Sequence, residues 1–337
     1  MSLNFLEHKC ITLTSFIVGT LTFLAEYFNV NPISKYIYLL AFILIVSSGI
    51  CAFIIENKKE KFFRNSDIHI PVVINVDSNK PANHVFTMLI KEIEDKYGFR
   101  DYEEGLKKYL NVVRNDLIYE YGVGLENIYQ KEKLLSFLQI ISYNLNKIQS
   151  SINNKVIFHV AYYQRPAVAF LAGNIFENDE IVVYQNNPDK DFFDEVAHTQ
   201  NRNYKTKVRE FEKFSVTYNI SDIENKEVLL VINASSHTVN LNSDSLKQYN
   251  NKVIMNANHN GTILLSEDWM RYVREIFTVL DKLQTQYSHI IIAHAMPESI
   301  ALLVGMAIGH YWNVTITQYD NGEYREFFNM KNLRLYY

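Results

Sequence analysis

Two stretches of this chain decide its fold: VIFHVAYYQRPAVAFLAGNIF at residues 156–176 and HIIIAHAMPESIALLVGMAIG at residues 289–309. Each one reads as an apolar strand, a short turn, a proline, and an apolar helix that contains a glycine, Gly173 or Gly305. Proline suits the first turn of a helix, where its missing N–H costs nothing. Because the second stretch repeats the first about 132 residues later, the sequence predicts two duplicated α/β units.

The alternation of strands and helices continues on both sides of these stretches. Further apolar runs that predict strands lie at 69–76, 181–184, 228–233, 253–257 and 314–319. Stretches with apolar residues at helical spacing lie at 82–97, 130–149 and 266–286. This alternation is typical of a mostly parallel sheet covered by helices. We therefore predict an α/β fold over residues 65–337, with two Rossmann-like halves at about 66–190 and about 225–337.

Residues 1–64 are far more apolar than the rest of the chain. Residues 36–55 contain no charge and, at 1.5 Å per residue, would span about 30 Å, the thickness of a bilayer core. A second apolar run covers about 11–28, and the turn NVNPIS lies between the two. The pattern predicts a transmembrane helical hairpin. Basic residues directly after it, such as Lys58 and Arg64, predict that both termini and the large domain are cytoplasmic.

Composition excludes several classes of protein. Lys and Arg total 33 against 37 Asp and Glu, a net charge of −4, so the chain lacks the basic excess of a protein that binds long nucleic acid. The only cysteines, Cys10 and Cys51, allow neither a disulfide framework nor a multi-cysteine metal site. The sequence has no phosphate loop, no G-x-S-x-G elbow and no H-E-x-x-H zinc helix. We therefore predict no catalytic residues, no metal and no cofactor.

Polar and aromatic residues follow several of the predicted strands. In open α/β sheets, ligands bind at the carboxyl ends of the strands, where helix N-termini present free N–H groups. The candidate ligand-binding residues at these positions are Tyr162, Tyr163, Gln164, Arg165, Ser235, Ser236, His237, Asn258, His259, His294, Met296, Pro297 and Glu298. Arginine pairs with phosphate, tyrosine stacks on bases, and the amides and hydroxyls read base edges. Such a set favours a small nucleotide ligand.

The last fifty residues carry a family resemblance. The stretch IIIAHAMPESIALLVGMAIGHY, followed by VTITQYD, resembles the end of SAVED domains. These are the cyclic-oligonucleotide sensors of bacterial CBASS antiphage systems, and they are built from two fused CARF-like halves. The resemblance implies that a cyclic oligonucleotide, expected to be a trinucleotide, is made by a partner nucleotidyltransferase and binds between the halves.

The apolar first segment is similar to the transmembrane effectors of the same family. This resemblance implies a two-pass protein of the bacterial inner membrane. Binding would then drive self-association of the sensor, and the clustered hairpins would disrupt the lipid bilayer, so that the infected cell dies or stops growing.

Two other classes of function stay open at this point. A membrane-tethered hydrolase or nuclease would need convergent carboxylates or a nucleophile–base pair at the strand ends. A passive membrane scaffold would bind no small ligand at all.

Overall fold

The computed structural model describes residues 17–20, 33–76, 81–121, 129–187, 192–222, 224–259 and 261–333. The chain divides into two compact units. The first contains Met1–Ile68, Ile90–Arg114 and Ile152–Lys155, and the second contains His69–Leu89, Asn115–Ser151 and Val156–Tyr337. Apart from Ile68, which begins the first strand, both sheets and the candidate site belong to the second unit.

Helices and strands alternate along most of the described chain. The helices are α1 (Ile33–Asn65), α2 (Ala82–Tyr97), α3 (Tyr102–Leu110), α4 (Lys131–Ser151), α5 (Pro166–Ile175), α6 (Asp244–Lys247), α7 (Trp269–Gln286) and α8 (Glu298–Ile308). The strands are β1 (Ile68–Val76), β2 (Ile118–Tyr121), β3 (Val156–Tyr163), β4 (Glu180–Asn187), β5 (Phe192–His198), β6 (Phe214–Asn219), β7 (Glu227–Asn233), β8 (Lys252–Ala257), β9 (His289–Ala295), β10 (Val314–Asp320) and β11 (Glu323–Asn329).

The strands form two separate sheets with the same topology. The first sheet has the order β2-β1-β3-β4-β5, and the second has the order β11-β10-β9-β7-β8-β6. The second sheet has one additional edge strand, β6. When this strand is left out and the order is given from the other edge, the second sheet is β8-β7-β9-β10-β11, which corresponds strand by strand to β2-β1-β3-β4-β5 in the first sheet. In both sheets the last strand pairs antiparallel with its neighbour. The α/β fold class is confirmed, and the shared order shows the internal duplication directly.

The core of each sheet follows from its apolar strands. Every residue of β1 and β3 is buried, as expected for strands that are covered on both faces. A polar chain crosses this core in the first sheet. His69 Nδ1 lies 2.9 Å from His159 Nε2, and His159 Nδ1 lies 2.9 Å from the Tyr184 hydroxyl. Buried polar side chains are normally hydrogen-bonded, and these three satisfy one another across β1, β3 and β4.

Helices α5 and α8, the two repeated helices, pack on each other with the two glycines at the contact. A Cβ built on Gly173 would lie 2.0 Å from the Leu302 carbonyl oxygen, and one built on Gly305 would lie 2.0 Å from the Phe170 carbonyl oxygen. The contact is reciprocal, because Phe170 and Leu302 are separated by the same 132 positions as the glycines. The two halves are therefore joined about a local pseudo-two-fold axis, with backbone against backbone.

The end of α1 belongs to the first unit and packs there on α3. Glu56 binds Lys108 and Tyr109, and Phe63 lies against the backbone of Gly105. The Phe63 ring stacks on Tyr109 with 5.3 Å between centroids. These aromatic contacts fix the last turns of α1 within its own unit.

The structure corrects the predicted membrane location. Within the described residues, no helix combines the length and the apolar character that crossing a bilayer requires. The predicted span at 36–55 is only the first part of α1, which continues through charged residues to Asn65. The predicted span at 11–28 lies outside the described residues, apart from a helical turn at 17–20. The prediction of a two-pass inner-membrane protein is therefore wrong.

Candidate functional site

A cleft of about 540 Å³ opens at the carboxyl ends of the parallel strands in the second sheet. This volume lies within the range of about 300–1,000 Å³ that is typical of small-molecule sites. Its walls come from the loop after β7, the ends of β9 and β10, β11, and the start of α5. The lining residues are Pro166, Ser235, His237, Thr238, Asn240, His294, Ala295, Met296, Gln318, Tyr319 and Tyr324.

The position of the cleft follows from the strand order. From β7 the chain continues to β8 on one side, whereas β9 and β10 lie on the other side. The connections that leave β7 and β9 therefore diverge and open a crevice between their carboxyl ends. A position where two neighbouring connections leave a sheet in opposite directions is called a topological switch point, and open α/β sheets bind ligands in the crevice at such a point.

Hydrogen bonds hold the loop after β7 against the end of β9. The Ala234 N–H donates to the Ala295 carbonyl at 2.7 Å, and the Val239 N–H donates to Asn233 Oδ1 at 2.8 Å. The Ser235 hydroxyl donates to the His237 carbonyl at 3.1 Å. One wall of the cleft is therefore ordered before any ligand binds.

His294 lies at the end of β9 and is partly exposed, whereas both of its ring nitrogens are shielded from water. The ring packs on Phe170 of α5 with 5.1 Å between ring centroids. Neither ring nitrogen makes a hydrogen bond to a described residue. Burial therefore lowers the pKa of His294 from 6.5 to about 4. The Thr317 backbone has a weaker effect that raises the pKa, although it does not reach either ring nitrogen at hydrogen-bonding geometry. At neutral pH, His294 is an uncharged part of the cleft.

The neutral His294 ring predicts a loss of stability in acid. The unfolded chain binds a proton at this histidine below its ordinary pKa of 6.5, whereas the folded chain binds one only below about 4. The stabilisation is complete above pH 6.5 and is lost as the pH falls towards 4, by about 3 kcal/mol. Urea denaturation of wild type and His294→Gln should show the wild type losing more stability between pH 7 and 4.5. A constant difference between the two proteins would contradict this account.

Tyr319 and Tyr324 form the aromatic part of the cleft. They lie directly opposite each other on the antiparallel pair β10–β11, with ring centroids 5.1 Å apart. Tyr324 is 7% exposed, whereas Tyr319 is 53% exposed. The buried ring thus supports the exposed one and fixes its position.

Four of the residues predicted from the sequence line this cleft: Ser235, His237, His294 and Met296. Pro166, Thr238, Asn240, Ala295, Gln318, Tyr319 and Tyr324 also line it and were not among the predicted residues. The residues at the end of β10 were missed although Tyr319 is the last residue of the predicted strand at 314–319. Applying the strand-end rule to β10 would have found Gln318 and Tyr319.

The predicted residues at the end of β3 and directly after it lie outside the cleft lining. Tyr162 and Tyr163 are 1% and 4% exposed, so in this structure neither presents a free ring face for base stacking. The Tyr162 hydroxyl donates to the Arg165 carbonyl at 3.0 Å, and the Tyr163 ring packs on Phe193. Gln164 and Arg165 both adopt left-handed backbone angles, with φ of 69° and 53°, just before α5 begins at Pro166. Of this segment only the adjoining proline lines the cleft.

The remaining predicted residues are exposed or make structural contacts. Ser236 and Asn258 are exposed, and the Asn258 amide donates to the Glu212 carbonyl at 2.9 Å. The His259 ring meets the edge of the Tyr272 ring. Pro297 precedes α8, and Glu298, in its first turn, accepts a hydrogen bond from Gln185 of the first sheet at 3.3 Å. These residues are not part of the cleft, and their predicted contact with ligand stays a prediction.

Among the described residues, no Lys, Arg, Asp or Glu side chain lines the cleft. Within the ranges that the structure describes, no group of three or more His, Cys, Asp or Glu side chains is arranged to hold a metal ion. The cleft is lined by amides, hydroxyls, imidazoles, aromatic rings and apolar groups. This lining suits reversible binding of a polar, ring-containing ligand.

Comparison with solved structures shows the same fold. A Cap4 SAVED/CARF-domain containing receptor from Acinetobacter baumannii, solved with the cyclic trinucleotide 2'3'3'-cAAA, is 13% identical with a TM-score of 0.50, and the match covers 95% of this chain and 78% of that one. The structure of an Acinetobacter baumannii Cap4 receptor with 3'3'3'-cAAA is 11% identical with a TM-score of 0.46, and the match covers 92% of this chain. This chain spans 65% of the length of that receptor. The Moraxella osloensis Cap4 receptor is 12% identical with a TM-score of 0.41, over 73% of this chain and 59% of that one.

No curated protein sequence matches the chain significantly. The profile of one family does match it. The profile describes SAVED, the "SMODS-associated and fused to various effectors sensor domain", and it covers residues 141–330. The match runs from α4 through the cleft to the end of β11 and includes both repeated helices. It covers more than half of the chain, and the chain therefore belongs to the SAVED family.

Proposed function

We propose that this chain is the sensor of a CBASS antiphage system and that its ligand is a cyclic oligonucleotide made by a partner nucleotidyltransferase. One observation carries the proposal: a preformed cleft lies at the switch point of the second sheet of a SAVED chain. Solved receptors of similar fold hold cyclic trinucleotides, so a ring of three nucleotides is the first candidate. The Arg165 guanidinium, which precedes cleft residue Pro166, is our candidate partner for a ligand phosphate.

The proposal predicts that ligand stabilises the folded protein. Cyclic di-, tri- and tetranucleotides and their linear forms should each be tested for a shift in melting temperature. With one site and ligand at one hundred times the Kd, we expect about 2.7 kcal/mol of stabilisation, from one cyclic ring and not from its linear form. Isothermal titration calorimetry then gives the affinity and the stoichiometry.

A variant that fills the cleft supplies the matched control. Thr238 is exposed and lines the cleft, so Thr238→Trp should abolish binding while the variant keeps its melting temperature without ligand. Tyr311→Trp adds a similar ring at an exposed position outside the lining and should bind as the wild type does. If no ring binds, or if Thr238→Trp binds normally, the proposed site is wrong.

We further propose that ligand binding drives self-association of the sensor and that the chain acts by binding rather than by catalysis. Light scattering after size exclusion should show a larger species only when the active ring is present. The ring should be recovered intact by chromatography after incubation with the protein. Cleaved ligand would favour an enzyme, and unchanged mass with no bound ligand would favour a passive scaffold.

A further inference from the structure

We propose that the cleft takes an uncharged part of the ligand, a nucleobase, and that Tyr319 is the platform on which this base stacks. The proposal rests on the proposed function and names the part of the ligand that occupies the cleft. It follows from the charge of the lining and from the geometry of one aromatic pair.

The lining of the cleft carries no formal charge from Lys, Arg, Asp or Glu among the described residues. A phosphate that entered it would lose water and gain no counter-charge from an arginine or lysine of the lining, and such burial is unfavourable. His294 does not supply a cation either, because its shielded ring is neutral at pH 7. On the hairpin of β10 and β11, Asp320 and Arg325 pair at 3.4 Å, so their charges offset each other near the cleft.

The same lining suits a nucleobase. Asn240 and Gln318 carry amides that both donate and accept hydrogen bonds, as base edges do. Met296, Ala295 and Pro166 supply apolar surface for the planar faces and the edges of a ring. The cleft therefore combines polar and apolar groups in the way that an uncharged heterocycle requires.

Tyr319 is placed to stack on that heterocycle. Its ring is half exposed at the cleft, and its other side is supported by Tyr324 on the neighbouring strand. The pairing of β10 with β11 fixes both backbones, so the Tyr319 ring is held before ligand arrives. Stacking on an exposed, preformed aromatic face is a principal way in which proteins bind unpaired bases.

The test uses nucleosides, which carry the base and no phosphate. Adenosine, guanosine, cytidine and uridine are titrated separately into the full chain and followed by ligand-detected NMR. We expect saturable binding of at least one nucleoside that 20-fold excess inorganic phosphate does not displace. Tyr319→Ala should weaken it about tenfold or more, whereas Tyr319→Phe, which keeps the ring, should stay within about twofold.

Two kinds of control are needed. One distinguishes a loss of base stacking from a loss of folding, and the other distinguishes failure of this inference from failure of the proposed function. Tyr319→Ala should melt as the wild type does because the ring is exposed, and Tyr311→Ala removes another exposed tyrosine from outside the cleft lining. Absence of binding by all four nucleosides, displacement by phosphate, or full affinity in Tyr319→Ala would each overturn the inference. Nucleoside binding without binding of any cyclic ring would leave the inference standing and refute the proposed function.

Discussion

Replacing either helix glycine, Gly173 or Gly305, with alanine is expected to lower the free energy of unfolding by about 3 kcal/mol. Each new methyl group would lie 2.0 Å from a backbone carbonyl oxygen of the opposite helix. A backbone oxygen cannot rotate away as a side chain can, so α5 and α8 must separate. The direction of this change is informative, because replacing glycine with alanine inside a helix normally raises the free energy of unfolding by about 1 kcal/mol.

Gly49 provides the matched control for this prediction. It also lies within a helix, α1, but a Cβ built there meets nothing within 4 Å. Gly49→Ala should therefore be neutral or slightly stabilising. Urea denaturation gives the comparison, followed by circular dichroism and by the fluorescence of the two tryptophans, Trp269 and Trp312, which both lie in the second unit. If Gly305→Ala were as stable as Gly49→Ala, the helices would not pack as described.

The same substitution should also disturb the cleft. Helix α8 begins two residues after cleft residue Met296, and α5 begins at cleft residue Pro166. Separating the two helices therefore moves two walls of the cleft apart. We expect the alanine variants to lose ligand affinity as well as stability, because the contact that joins the halves also positions the site.

Much of the fold could be predicted because its central strands are buried on both faces and its amphipathic helices carry apolar residues at helical spacing. The apolar strand predicted at the start of the 156–176 stretch is β3, and the helix predicted at 82–97 matches α2 residue for residue. An uninterrupted apolar run predicts a buried strand, and apolar residues at helical spacing predict a helix. The edge strands were missed for the opposite reason. In β6, four of six residues are exposed, so no apolar pattern marks it. The segment between the two predicted halves, about 190–225, contains β5, which pairs with β4.

The site was harder to predict. The rule that ligands bind at the carboxyl ends of the strands identifies one edge of each sheet, but it does not show which residues at that edge face the cleft and which are buried in the core. Ser235 and His237 lie in the loop at the switch point, where the rule applies well. Tyr162 and Tyr163 satisfy the same rule in the first sheet, yet both are buried. Tyr324 lies on β11, a strand that was not predicted, so the sequence could not predict its contact with Tyr319.

The second large effect is expected at Glu275, in the middle of α7. Its side chain is fully buried, and Glu275→Ala should lower the free energy of unfolding by about 4 kcal/mol. The carboxylate accepts the backbone N–H groups of Glu212 at 2.8 Å, Lys213 at 3.0 Å and Phe214 at 3.0 Å, together with Arg271 Nε at 3.0 Å. It satisfies the backbone donors that precede and begin β6. Without it, these donors and one arginine lose their acceptor in a place that water reaches poorly.

The exposed Glu212 carboxylate is the natural control, because it pairs with the same Arg271 at 2.9 Å. Its side chain is 65% exposed, and an ion pair of this kind contributes less than about 1 kcal/mol. Glu212→Ala should therefore be nearly neutral. Glu275→Gln keeps the shape but turns an amide donor towards the backbone donors, and we expect a loss of about 2 kcal/mol. Tryptophan fluorescence, to which Trp269 of the same helix contributes together with Trp312, follows the unfolding. Equal losses in Glu275→Ala and Glu212→Ala would mean that the arginine pair, rather than the backbone donors, accounts for the stabilisation by Glu275.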